Sequence, residues 1–159
     1  MWPLAARAQS TGKKYTIGYL SAGSPGLEEA TAAFTYTLRE LGWVEGKNVT
    51  FERRFAENRL ERLAEFAAEL VHLNVGVIVA EGTLAPLAAK RATSTIPIVM
   101  TVAGDPLGSG LVESLARPGG NVTGISLMAP DLGGKRLELL KELLPRLGRV
   151  AVLWNATNP

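Results

Sequence analysis

The 159-residue sequence has no cysteine and a single histidine. The first absence removes disulfides, thiolate nucleophiles, thiolate metal sites and lipidated cysteine anchors together. The second leaves little room for a histidine-based metal centre, and no metal or cofactor is expected. A dense block of Lys or Arg is missing too: 17 cations face 15 anions, for a net charge of +2. Phosphate binding needs clustered cations, so no nucleic-acid surface is expected, and the basic pI says little. No apolar run approaches the length that spans a bilayer. A phosphate-cradling G-x-x-x-x-G-K-[ST] is also lacking.

What is present is 47% hydrophobic and 20% charged residues, enough for one ordinary domain with a real core. From Tyr15 onward, short β-branched apolar runs alternate with segments of helical period, the rhythm of βαβ units around a parallel sheet. YTIGYL (residues 15–20) reads as the first strand. A helix follows, with Leu27, Ala30, Phe34, Leu38 and Leu41 in one stripe and Gly42 as its stop. NVTFERRF alternates apolar and charged positions, so it is placed at a sheet edge. A second helix over residues 59–73 turns Leu60, Leu63, Ala67 and Leu70 inward and leaves His72 on its polar face. VGVIVA (residues 75–80) and IPIVMTV (residues 96–102) are continuous apolar runs, as central strands covered on both faces should be. Between them Thr83 can cap a short helix. NVTGISL gives a fifth strand, GGKRLELLKELLPRLG a helix with Leu137, Leu140, Leu144 and Leu147 on one stripe, and RVAVLW a sixth strand in which Trp154 reads as core.

In open parallel sheets, ligands bind beyond the carboxyl ends of the strands, where helix N-termini present free N–H groups. Four strand-to-helix loops stand out: Ser21-Ala22-Gly23-Ser24, Glu81-Gly82-Thr83, Ala103-Gly104-Asp105-Pro106, and residues 127–134. Helix capping by Ser, Thr and Asp accounts for any one of them taken alone. Their concentration at one end of the sheet is what raises a binding reading. Gly108-Ser109-Gly110 resembles a dinucleotide loop only superficially, because Glu113 replaces the third glycine and the motif follows the fourth strand. Ser109 lacks the G-x-S-x-G frame of a hydrolase nucleophile, and His72 reads as a solvated surface residue. The Asn-x-Thr triplets at Asn48, Asn121 and Asn155 read as chance.

The segments WPLAARAQ, LRELGWVEGKNV, the AEGT loop, IPIVMTVAGDPLGSGLVESLARPGGNVTGIS and KRLELLKELLPRLGRVAVLWN resemble the ABC transporter substrate-binding protein family. The string D-P-x-G-x-G-x-V-x-S-L-A-R-P-G-G-N-x-T-G is long and specific to it. The resemblance implies a type I periplasmic-binding-protein fold: a doubly wound, mostly parallel α/β sheet in the order 2-1-3-4-5, forming one lobe of a hinged receptor. It implies a small-molecule ligand, amino acids and notably aromatic ones among them, a membrane permease as partner, and a periplasmic location. Residues 13–127 would form the first lobe and residues 128–159 a helix and strand opening an incomplete second one. Ala6-Arg7-Ala8 has the small-x-small pattern of a cleavage site, but no charged or apolar segment precedes it and the composition alone reads as an Ala-rich tail. The resemblance of WPLAARAQ implies that residues 1–12 are the remnant of an export signal.

By analogy with the fold, the expected ligand contacts are Ser21, Ser24, Gly82, Thr83 and Asp105, with the N–H groups around Thr83 holding a carboxylate. Asp105 either caps the helix expected after it or binds a ligand's amino group. An enzyme of the doubly wound class, acting on a nucleotide or acyl substrate at the same strand ends, is the competing reading. Self-association through the incomplete second lobe is a further expectation.

Overall fold

Strands and helices alternate along the described residues, except that the fourth strand is followed by the fifth without a helix between them. In order these are β1 (Tyr15–Ser21), α1 (Glu28–Glu40), β2 (Val49–Phe55), α2 (Arg62–His72), β3 (Val77–Glu81), α3 (Leu84–Ala92), β4 (Ile98–Ala103), β5 (Val122–Ser126) and α4 (Ala129–Leu143). The structure, a computed structural model, describes residues 14–25 and 28–153. The export-signal segment, Leu27, Trp154 and the Asn155 triplet therefore lie outside the described residues.

The five strands form one sheet in the order β2-β1-β3-β4-β5, every neighbouring pair parallel. Right-handed crossovers fix where the helices go. The step from β1 to β2 runs one way across the sheet and the step from β2 to β3 the other, so α1 lies on one face and α2 and α3 on the opposite one. Side chains follow suit. Leu20, Ile78, Ala80, Ile98 and Met100 meet Leu63, Phe66, Ala67 and Leu70 of α2 and Ala85 and Ala89 of α3 in the main core. Helix α2 presses so close that a Cβ at Gly18 would lie 3.1 Å from a Leu70 methyl, which accounts for glycine inside a central strand. On the other face Phe34 of α1 meets Phe51 of β2 edge-on, ring centroids 6.2 Å apart.

β2 is an edge strand, as its alternation implied, and its open side is blunted with charge. Arg53 forms a two-pronged bond with Glu45, at 2.8 and 2.9 Å, while Arg54 reaches Glu69 at 2.6 Å. Hydrogen bonding from Arg53 is the main reason the Glu45 carboxyl is held below its ordinary value; burial opposes it and the Arg53 charge adds to it.

Several elements differ from the sequence reading. Leu60 is exposed because α2 starts only at Arg62, and Phe66 fills the inward position instead. Leu41 is exposed and Phe34 and Leu38 are only partly buried, although Tyr19, Val49, Phe51 and Val79, strand residues of the α1 face, are buried. No helix follows Asp105-Pro106; the chain makes successive turns there, with Gly110 at φ 72° leaving the helical path. The sixth strand is not formed among the described residues: Val150, Val152 and Leu153 are exposed and outside any ladder. A strand exists only through a partner's backbone, and no described strand offers one to residues 149–153. The expected helix before it does form, with Leu137 and Leu144 turned to solvent.

Residues 104–121 are nonetheless firmly held. Leu111 is 0% exposed and closes one end of the core, while Lys90 Nζ donates to the carbonyls of Gly110 and Leu111 at 2.7 and 3.1 Å. Asn121 Nδ2 donates to the carbonyls of Thr93 and Ile96 at 3.0 and 2.8 Å, steering the chain into β5.

β4 contains a bulge. Met100 pairs with Gly124 and Ala103 with Ser126, so Thr101 and Val102 together oppose Ile125. Gly124, at φ +142°, makes room for it, and a Cβ there would collide with the Met100 carbonyl. Gly124→Ala is expected to cost about 1–3 kcal/mol in a urea unfolding titration, through backbone strain and that collision. A second expectation concerns acid. Because the Glu45 value is lowered in the folded state, its contribution is present above the ordinary carboxylate value and disappears as pH falls through the depressed one. Both partners are about a third exposed or more, at 31% and 43%, so the effect should stay below about 1 kcal/mol. Comparing unfolding midpoints of the parent and Arg53→Met at neutral and acid pH checks it: the gap between them should close on acidification.

Candidate functional site

Parallel pairing places every strand's carboxyl end on the same rim, and β1, β3, β4 and β5 are consecutive neighbours there. Ser21 ends β1, is 3% exposed, and accepts the Gly23 N–H at 3.0 Å through its hydroxyl. The carbonyls of Ser21, Ala22 and Gly23 take the N–H groups of Ala56, Asn58 and Glu57 at 2.8–2.9 Å, stitching this loop to the one after β2. Ser24 lies beyond it, exposed.

Gly82 and Thr83 connect β3 to α3. Gly82 has φ 75° and donates its N–H to the Thr101 carbonyl at 2.9 Å. Thr83 occupies the N-cap position, yet its side chain caps nothing. Only 4% exposed, it turns its hydroxyl sideways to accept the Gly104 N–H at 3.4 Å, joining the loops after β3 and β4. The N–H groups opening α3 are thus left without a side-chain acceptor, and the positive end of that helix faces the rim.

Asp105 is committed to its own turn. Oδ1 accepts the Gly108 N–H at 2.8 Å, and the Asp105 carbonyl takes both the N–H and the hydroxyl of Ser109, at 3.1 and 2.6 Å. Of the two roles expected for Asp105, the structure contains the capping contact, closing a turn where a helix was anticipated. The same residue lines a depression of about 240 Å³ with Pro106, Gly108, Leu115, Ser126 and Met128. Ser109 has its hydroxyl spent on the Asp105 carbonyl, and His72 is exposed far down α2, as read from the sequence.

Features that sequence reasoning passed over also gather at the rim. Tyr19, 6% exposed, donates its hydroxyl to Glu81 Oε2 at 3.0 Å, and its ring lies 5.8 Å from that of Phe55. Four non-glycine residues with left-handed backbone, Glu57, Asn58, Val102 and Met128, follow or end strands here. Asn58 is of a type that tolerates this conformation, so a signal existed; for β-branched Val102 there was none. Among the described residues there is no group of three or more metal-binding side chains, and no helix long and apolar enough to cross a membrane.

A doubly wound lobe with small, polar, N–H-rich loops along one rim defines a ligand-binding class in which the solute lies against strand ends. The chain belongs to the ABC transporter substrate binding protein family, whose model matches residues 21–158. This is a family of binding proteins and not of enzymes. A tyrosine-binding protein of Clostridioides difficile (strain R20291) is 36% identical over 135 residues, covering 84% of this chain and 38% of that protein. Among solved structures, a conserved domain protein from Vibrio cholerae superposes with a TM-score of 0.76 at 34% identity, covering 84% of this chain and 45% of the other. An ABC domain in complex with L-Trp from Streptococcus pneumonia gives 0.67 at 30% identity, covering 72% and 39%. A ligand-free, open substrate binding protein with adhesive properties from Clostridium difficile gives 0.69 at 31%, covering 83% and 44%. The chain therefore spans less than half the length of each of these relatives.

The sideways Thr83 hydroxyl makes a separable prediction. Thr83→Val should leave α3 intact, because no cap is lost, while hydrogen exchange at the Gly104 amide rises. Amide-resolved exchange by NMR reads both at once; fraying of the first turn of α3 with Gly104 unaffected would contradict the geometry.

Proposed function

We propose that this chain supplies one wall of a cleft that captures a free amino acid, an aromatic one foremost, as the binding component of an ABC uptake system. The observation that carries this reading is the alignment of the loops after β1, β3, β4 and β5 on a single rim. There the N–H groups at the start of α3 would receive the ligand carboxylate, helped by the helix dipole. Gly82 lets the backbone approach closely, Ser21, Ser24 and Thr83 border the same position, and Asp105 stiffens the lip of the depression. The tyrosine and L-Trp named for two relatives support an aromatic amino acid. Family membership supports a membrane permease as partner and a periplasmic setting. In this reading the opposite wall belongs to a second lobe, and α4, with Leu137, Leu139 and Leu143 exposed, is the start of it. Those leucines are also the surface through which copies of this chain would associate.

One wall binds weakly, because most of a ligand's surface remains in water. An NMR titration of this chain with L-tryptophan should move the amides of Gly82, Thr83 and Gly104 with an affinity weaker than millimolar. Unmoved rim amides at saturating ligand would defeat the proposal. A large thermal stabilisation by NAD or ATP would instead favour a nucleotide-using enzyme.

A further inference from the structure

The carboxylate that ends β3 has no ion-pair partner among the described residues. Glu81 is partly buried at the strand end, and its one hydrogen bond among the described residues comes from the Tyr19 hydroxyl onto Oε2. Among the described residues the other partly buried carboxylates are either ion-paired to an Arg, as Glu52 and Glu69 are, or bonded to a backbone N–H, as Asp105 is. Register places Glu81 beside Thr101 and on the same face as Tyr19 and Val79, away from the main core. A partly buried carboxylate bonded only by a hydroxyl gains a charge-assisted bond when a cation meets it.

We propose that Glu81 is the acceptor for the ligand's α-ammonium, with Tyr19 as the positioning residue that aims it. The proposal rests on the amino-acid reading above. Glu81, Gly82 and Thr83 are consecutive, so the carboxylate on the α1 face and the start of α3 on the opposite face border the same stretch of rim. A zwitterion lying across that rim would have an anion for its ammonium and helix N–H groups for its carboxylate. The arrangement also discriminates: Glu81 repels an acid that lacks the amine, and the helix terminus contributes nothing to an amine that lacks the acid. The oxygen Oε1 is free to make the contact, because Tyr19 engages Oε2. Ammonium recognition by a charge-assisted bond of this kind is strong for its size.

Three probes sharing one ring system test the assignment: L-tryptophan, tryptamine and indolepropionate, titrated into the whole chain and followed through rim amides by NMR. The parent should prefer L-tryptophan over indolepropionate by about tenfold, the factor expected of one charged hydrogen bond. Glu81→Gln should lose about tenfold for L-tryptophan and tryptamine and leave indolepropionate unchanged or tightened, closing the gap. Tyr19→Phe should weaken the same two ligands by a smaller factor, with the fold retained. If Glu81→Gln weakens all three probes equally, or none, the assignment is overturned while the amino-acid reading stands. If L-tryptophan leaves the parent's rim unmoved, both fall.

Discussion

Parallel backbone pairing is the constraint on which everything else depends. Once β1, β3, β4 and β5 hydrogen-bond in the same direction, their carboxyl ends have no choice but to share a rim. Each strand must then be followed by a crossover to the opposite end, which brings turns, and where a helix follows, its amino end, to that rim. Unsatisfied N–H groups and small residues converge there without any residue having been selected to bring them together. The site is a by-product of strand direction, refined by a few side chains.

Refinement is visible in how the loops are tied to one another and not to the core. The hydroxyl of Thr83 reaches Gly104, the carbonyls after β1 hold the segment after β2, and Leu127 donates its N–H to Ala103 at 2.8 Å. The bulge in β4 and the glycine facing it bend the last strand pair at the very end of the sheet. Val102, three residues before Asp105, and Met128, which lines the depression beside it, carry left-handed backbone. Such geometry persists only where surrounding contacts over-determine it, and here the buried Leu111 and the Lys90 and Asn121 anchors do so.

Most of the architecture was readable from pattern alone. The two continuous apolar runs became the central strands and the alternating NVTFERRF became an edge, because burial on both faces or on one leaves a direct periodic trace. RVAVLW was read as a strand on the same grounds, and among the described residues it is not one: apolar composition states that a segment wants a partner, not that it has one. The turn after Asp105 was read as a helix start because the Asp-Pro pair suits an N-terminus; the glycines after it decided otherwise. Tyr19 and Glu81 went unseen for a different reason. They are separated by 62 positions and meet only because β1 and β3 are adjacent in the sheet, information that no local window contains.

The two faces of the sheet divide the labour, and that division explains why polar groups can sit beside the strand ends at all. Stability is concentrated on the α2 and α3 face, where Leu20, Leu70, Ile78 and Ile98 are wholly buried. The α1 face buries Tyr19, Val49, Phe51 and Val79 but leaves Ile125 and Leu41 exposed. Along that face the residues nearest the rim become Tyr19, Glu81 and Thr101 in place of aliphatics. A carboxylate at the same register position on the other face would have been buried among Leu and Met with no partner, at a cost comparable to much of a domain's net stability. On the α1 face it is partly exposed and accepts a hydrogen bond from the Tyr19 hydroxyl.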